Sequence, residues 1–354
     1  VQFLIRIYCE IPAATIANFS KLKNLQSPNF SDFRKYFRAK LEKLFLMPAN
    51  SFDNVKGQFP IGFFVWNTET DETFKHISAD VYDRDGNFIQ NKNIYSYDNV
   101  KGKINNWLAD VSYHVVEKNK IGDVHSNGND FQHQNDVFID NTNIKKTFGG
   151  LHLPVSVANL IEACMCYAVR KVIPADWLND RDQFLYPGDS WKNDLEFQND
   201  CLAYTLFNTN ISIQYGVNHW IPFTEEEVRA SAKFESHFMT DFMSGKIKQN
   251  AYVSLFENQE DKYCIKREFS PEAKAVFEAG KNLWKYYHAQ AKCNVNASLY
   301  DIREHFQGRN DKGKMNNKSD NETYNELIGN LRSTLKILAR KIEPKVYEYG
   351  FLKE

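Results

Sequence analysis

Glycine is scarce in this 354-residue chain, 16 residues in all, and no two of them form a Gly-x-Gly pair. That removes the glycine-rich turn through which a buried strand hands a phosphate-bearing cofactor to a helix N-terminus. The six cysteines, at 9, 164, 166, 201, 264 and 293, contain no Cys-x-x-Cys pair. Cys164 and Cys166 lie in a helical pattern where a spacing of two points the side chains apart. A disulfide framework and a zinc knuckle are therefore both excluded, and reduced thiols in a cytoplasmic protein are the simple expectation. No stretch approaches about 18 uncharged apolar residues, so nothing is expected to span a membrane. The start, VQFLIRIYCEIP, carries Arg6 and Glu10 and lacks the layout of a signal peptide. No Gly-x-Ser-x-Gly element is present, and no cysteine pairs with a histidine for nucleophilic catalysis. Charge of one sign is missing as well: 44 basic residues stand against 45 acidic ones. A uniformly basic nucleic-acid coat is excluded, but a local patch is not.

What is present suffices for packed cores. Hydrophobic residues make up 42% of the chain and aromatics 14%, which excludes global disorder. The length suits two domains. The chain opens on Val1 within an apolar pattern and reads as part of a longer polypeptide.

Along the chain, residues 2–9 read as a helix stopped at Pro12, followed by a strand at 15–19. Ser27-Pro28 opens a helix with Phe30, Phe33, Phe37, Leu41 and Leu44 at spacings of three and four. Its other face carries Arg34, Lys35, Arg38 and Lys43, expected to be a solvated face. Leu44–Met47 suits a strand, 50–58 a loop, and FPIGFFVW (59–66) a strand buried on both sides. Residues 72–100 read as a β-excursion turning at Asp85-Gly86. Residues 118–150 read as a polar loop. Helices are then expected over 155–172 and 190–207, from Thr224 with Glu227 as a capping box, over 271–291, and from Ser319 with Glu322 to about 342. Residues 308–320 read as a flexible loop, and Gly149-Gly150 marks the expected division into 1–150 and 151–354.

The run LFLMPANSFDNVKGQFPIGFFVWNT, preceded by IANFSKLKNL and the SPNF-initiated helix, resembles the closing motifs of amino-type DNA methyltransferases. More narrowly, it resembles the adenine-N6 methylases of restriction–modification systems, including fused restriction–methylation polypeptides. The resemblance covers about residues 1–70. It implies an α/β N-terminal part that forms the C-terminal half of a Rossmann-like sheet, followed by a mainly helical target-recognition domain. It also implies S-adenosylmethionine as cofactor of the complete enzyme and double-stranded DNA as partner. The family's aromatic before the final strand falls on Phe52, where it would stack on an adenine flipped out of the duplex. A core phenylalanine is the plainer alternative. The family's catalytic Asn/Asp/Ser-Pro-Pro-aromatic tetrapeptide has no counterpart, since the chain contains no Pro-Pro dipeptide. With the Gly-x-Gly turn also missing, this chain alone is not expected to bind cofactor or methylate DNA. It would be completed by the N-terminal methyltransferase half or by another restriction–modification subunit.

Residues 1–60 carry nine Lys/Arg against four Asp/Glu, an excess of five positive charges. Lys21, Lys23 and Lys56 are candidates for phosphate contacts near a flipped base, with a solvated surface as the equal alternative. Arg309, Lys312 and Lys314 are candidates in the 308–320 loop, where a charged loop without a role is the alternative. Asn129, Gln132 and Gln134 carry groups suited to base edges. His125, His133, Asp123 and Asp130 could hold a metal, and Asp176–Asp182 (DWLNDRD) could supply nuclease carboxylates on a helix. Both are weak patterns. A non-catalytic DNA-binding or subunit-interaction module is the competing reading of the whole.

Overall fold

The computed structural model describes residues 1–11, 13–113, 119–141, 150–250 and 262–354. Pro12, Gly149 and parts of the expected 118–150 loop lie outside them. The chain is mixed α/β, with a five-stranded mixed sheet near the N-terminus and a largely helical C-terminal region.

Helix α1 (Gln2–Glu10) leads into β1 (Thr15–Lys21), and the short α2 (Lys23–Gln26) follows. The expected long helix after Ser27-Pro28 is much shorter. A 3-10 turn at Pro28–Phe30 runs into α3 (Ser31–Tyr36), and β2 (Ala39–Pro48) takes up Leu41 and Leu44. The apolar spacing of three and four fits a helix face, but β2 finds pairing partners on both of its edges, and the tertiary pairing overrides the local period. Strand β3 (Pro60–Asp71) then returns antiparallel between β1 and β2, so those two run parallel to each other. Strands β4 (His76–Tyr82) and β5 (Phe88–Tyr95) form the expected hairpin, with Gly86 at φ +85° in its turn. The sheet order is β1-β3-β2-β4-β5, and β4 lies parallel to β2.

One face of this sheet is closed. Leu44, Leu46, Phe64, Trp66, Val81 and Ile94 pack there against Leu4 of α1, Leu25 of α2 and Phe33 of α3. Arg34 is not part of a solvated face, as its helical spacing suggested. It is 2% exposed and grips both oxygens of Asp98 at 2.6 Å. It also donates to the carbonyls of Asn24 and Ser27 at 2.9 and 3.0 Å. A short helix has too little outer surface to leave every basic residue in water. Lys35 and Arg38 do stay outside, paired with Asp32 and Asp71.

Beyond α4 (Ile104–Val111), strands β6 (Gly122–Ser126), β7 (Val137–Asp140) and β8 (Leu151–Val155) form an antiparallel sheet in the order β7-β6-β8. The expected polar loop is therefore partly sheet. Strand β6 (GDVHS) is polar yet buried, because most of its polar groups find partners inside: His125 meets Asp140 at 3.1 Å, Asp123 meets Lys120 at 2.9 Å through one oxygen and faces His152 Nε2 at 3.7 Å with the other, and Ser126 bonds Asn105 at 2.6 Å. The expected division at 150 falls inside this second core, which runs from Ile104 to Leu352 and spans both sides of that position.

The helices follow as α5 (Leu160–Lys171), α6 (Leu195–Leu206), α7 (Glu225–Val228) and α8 (Phe238–Met243). The short strands β9 (Lys248–Asn250) and β10 (Lys262–Cys264) precede α9 (Pro271–His288), α10 (Leu299–Gln307) and α11 (Glu322–Glu348). Thr224 and Glu227 form the capping box, although it caps a single turn. Ser270 caps α9, whereas Asn321 rather than Ser319 caps α11. Helix α5 is buried almost all round, and burial pushes the Cys166 thiol up to about 12. The described cysteines are all free. Among the described residues no helix is long and apolar enough to cross a membrane.

The Arg34–Asp98 pair gives a direct stability test. Arg34 holds the Asp98 carboxyl below the usual carboxylate range, so folding gains from the ionised form. With the folded-state pKa depressed, that gain is present above the unfolded carboxyl value and fades as pH falls through the folded one. Urea denaturation between pH 6 and 3 should show wild type losing stability toward acid, with Asp98→Asn flatter over the same window. Arg34→Met should cost about 3 kcal/mol, the lower end for a broken buried pair because Asp98 remains 24% exposed.

Candidate nucleic-acid interface

The link from β2 to β3 carries Phe52. A 3-10 turn at Ala49–Ser51 closes the end of β2, with the Phe52 N–H donating to the Ala49 carbonyl at 3.1 Å. Phe52 is extended and half-buried, and Asn54 takes a left-handed φ of +64° that turns the loop back. The Phe52 ring stands edge-on to Phe19 of β1, with centroids 5.3 Å apart, and Phe19 lies 4.8 Å from Phe63 of β3. Phe52 thus belongs to an aromatic cluster on the open side of the sheet rather than to the core.

Lys21 ends β1 beside this loop, its ammonium 4.5 Å above the Phe59 ring. Lys23 and Lys56 are exposed. The second half of the molecule meets the first close by. Trp177 and Leu178 pack onto the first core, and Asp182 bonds Lys92 of β5 at 2.5 Å and Gln26 of α2 at 3.3 Å. Lys21 acts electrostatically on Asp180 in the same segment. Burial lifts the Asp180 carboxyl above its ordinary value, and Arg181, 3.2 Å away, opposes the lift together with Lys21. Arg181 also approaches Asp130, which holds His133 Nδ1 at 2.5 Å. The His133 ring lies directly over Gly128, where φ is +33° and a Cβ would collide with the imidazole. Behind this corner Arg170 of α5 is fully buried and donates to the carbonyls of Gly128 and Asp130 at 3.1 and 3.2 Å.

The structure therefore sets Phe52 against Phe19, which the sequence does not single out, and brings Lys21 within electrostatic reach of Asp180 in the 176–182 stretch. Phe19 was legible in principle, since Ile16 and Phe19 lie three apart in a strand and must face opposite sides. The Asp180–Arg181 corner was not, because it needs residues about 50 and 160 positions distant. Of the three amide candidates, Gln132 keeps an exposed side chain, while Asn129 accepts from the Asn105 N–H and Gln134 is tied to Lys171 and Ile173.

Other candidates have structural partners. Arg309 bonds Glu304 at 2.5 Å, the Tyr300 hydroxyl at 2.9 Å and the Gly313 carbonyl at 2.7 Å, fastening the 308–320 loop on itself. Lys312 and Lys314 are exposed on that loop, on the second core. The 176–182 segment is a series of turns rather than the expected helix, since Asp176 accepts from the Leu178 and Asn179 N–H groups and stops it. His125 and His133 sit in separate pairs, with Asp140 and Asp130 respectively. Among the described residues no group of three or more His, Cys, Asp or Glu is placed to hold a metal ion.

No known protein family, curated protein or solved structure matches the chain.

Lys21→Ala removes a cation that restrains the Asp180 carboxyl, so its pKa should rise further. Carboxyl-carbon NMR titration of wild type and variant reads this directly, and an unmoved Asp180 would separate the two groups.

Proposed function

We propose that the chain is the C-terminal portion of a restriction–modification adenine-N6 DNA methyltransferase, supplying the base-stacking loop and the DNA-recognition surface. The observation that carries the reading is the arrangement around β3. A helix feeds β1, and a tightly paired couple of apolar strands follows, with Phe52 in the link beside the basic end of β1. The resemblance implies that order for the close of a methyltransferase sheet. The outer edge of β1 pairs with no other strand among the described residues, an arrangement that invites a further strand.

Phe52 and Phe19 together offer an apolar surface on which an extruded base could rest. Lys21, Lys23 and Lys56 lie where phosphates flanking such a base would need neutralising. The chain's own residues do not fit S-adenosylmethionine. Strand β1 passes into α2 through Lys21-Leu22, with no glycine to admit a cofactor. Cofactor and amine-orienting residues would come from another segment of polypeptide, and no methyl-transfer step is assigned to this chain.

A non-catalytic module that binds DNA or a partner subunit remains the second reading, favoured by the uncovered aromatic side of the sheet. The two separate on one residue. Phe52→Ala should weaken binding to a duplex with an abasic site opposite the target adenine by roughly 5- to 150-fold, the loss of about 1–3 kcal/mol of stacking. Fluorescence anisotropy reads the affinity, with thermal melting of the variant as control for folding. An unchanged affinity would point to the module. Calorimetric titration of the chain alone with S-adenosylmethionine should show no binding, and tight binding would overturn the proposal.

A further inference from the structure

Across the open face of the five-stranded sheet runs a row of aromatic rings, one contributed by each strand, in the order of the strands themselves. Phe19 of β1 pairs in register with Phe63 of β3, which pairs with Phe45 of β2, and Tyr82 of β4 pairs with Phe88 of β5. Successive centroids along this row lie 4.8, 6.2, 6.2 and 6.0 Å apart. Its two ends, Phe19 and Phe88, are 54% and 55% exposed. Ile61, Val65 and Met47 flank the row and are half-buried. The opposite face is closed by α1, α2 and α3, so a sheet with apolar residues on both sides is covered on one.

The charges around the row are divided by end. Lys21 and Lys56 lie beyond Phe19 and the Phe52 loop and outnumber Asp53 there, while Asp83 and Asp85 lie in the turn beyond Tyr82 and outnumber Arg84 between them. Strands β1, β2 and β4 run the same way, so both charged groups project past the row on the same side. A single-stranded nucleic acid would want a basic track along its whole length. A surface that is basic at one end and acidic at the other is complementary to itself.

We infer that this face binds a second copy of the chain through a two-fold axis parallel to the strands and passing over Phe45. Such an axis reverses the row and preserves strand direction. Phe45 then meets Phe45 of the second copy, Phe63 meets Tyr82, Phe19 meets Phe88, and Lys21 and Lys56 lie over the Asp83–Asp85 turn. Five strands at ~4.8 Å and about six residues at ~3.3 Å give a footprint of roughly 500 Å² per copy. That is below the ~800 Å² per partner of a standard interface, so the dimer is reversible and concentration-dependent. The inference does not rest on the methyltransferase reading: the axis leaves the outer edge of β1 free, but the dimer covers Phe19, Lys21 and Lys56, so dimerisation and DNA binding at the Phe52 loop exclude each other.

Sedimentation velocity of the full chain across the micromolar range tests it. Wild type should pass from monomer to dimer, and Phe45→Glu, which acts twice at the axis, should raise the dissociation constant at least ~100-fold with an unchanged circular dichroism spectrum. Lys56→Glu and Asp85→Lys should each weaken the dimer, and an equimolar mixture of the two should restore it, since every contact in the mixed dimer again joins opposite charges. A chain that stays monomeric, a dimer indifferent to Phe45→Glu, or a mixture without rescue would each overturn the inference. So would a monomer that binds an oligo-thymidine strand and loses it in Phe45→Glu, which would give the face to nucleic acid instead.

Discussion

Strand β3 is paired on both edges over most of its length, and that double pairing fixes the first hundred residues. Its alternation sends Gly62, Phe64 and Trp66 to the core and Ile61, Phe63 and Val65 to the other side. Phe64 and Trp66 stack with their planes 2° apart, and the missing side chain at Gly62 lets Leu44 and Phe64 close over the strand, where a Cβ would fall 2.9 Å from one and 2.7 Å from the other. A one-residue slip of β3 would exchange these two faces and bury the wrong set. Because β3 reverses between two parallel neighbours, its start, the Phe52 loop and the end of β1 are forced to one edge of the sheet. The candidate interface is a by-product of that topology.

The same strand was the most legible element in the sequence, since FPIGFFVW has no helical period and no polar interruption. The β4–β5 hairpin was equally plain from Asp85-Gly86, and the cap at Thr224 from its pairing with Glu227. Residues 37–43 were misread because Phe33, Phe37, Leu41 and Leu44 fit a helix face while the structure turns at Phe37 into a strand; the helix over 31–36 and the strand at Leu44–Met47 are as expected. Strand β6 was missed for the opposite reason. Its Asp and His side chains look like loop residues until Lys120 and Asp140 appear beside them. Phe52 and Lys21 could be read locally because they flank adjacent strands. The Asp130–His133–Arg181 corner could not, being assembled from loops that only the packed helices bring together.

The two hydrophobic cores are joined by polar as well as apolar contacts. Lys92–Asp182 and Gln26–Asp182 tie the sheet to the turns beyond α5, and the Tyr95 hydroxyl donates to the Glu354 carbonyl at 2.5 Å. Burial raises the Asp182 carboxyl while Lys92 opposes the rise, so this contact depends on keeping the ion pair intact. Trp177 and Leu178 supply the apolar share.

Arg170 adds a mechanical consequence. Burial pulls its guanidinium down to about 10, and its direct partners are carbonyls and a hydroxyl in the 126–130 stretch rather than a carboxylate. If that stretch peeled away, a buried cation in the last turn of α5 would lose its hydrogen-bond acceptors and keep the Phe184 ring, 4.8 Å away, as its remaining close partner. Opening is therefore penalised far more than for an ordinary surface turn. The loop that carries Asp130 and His133 behaves as an extension of the helix, and whatever docks at this corner must conform to it.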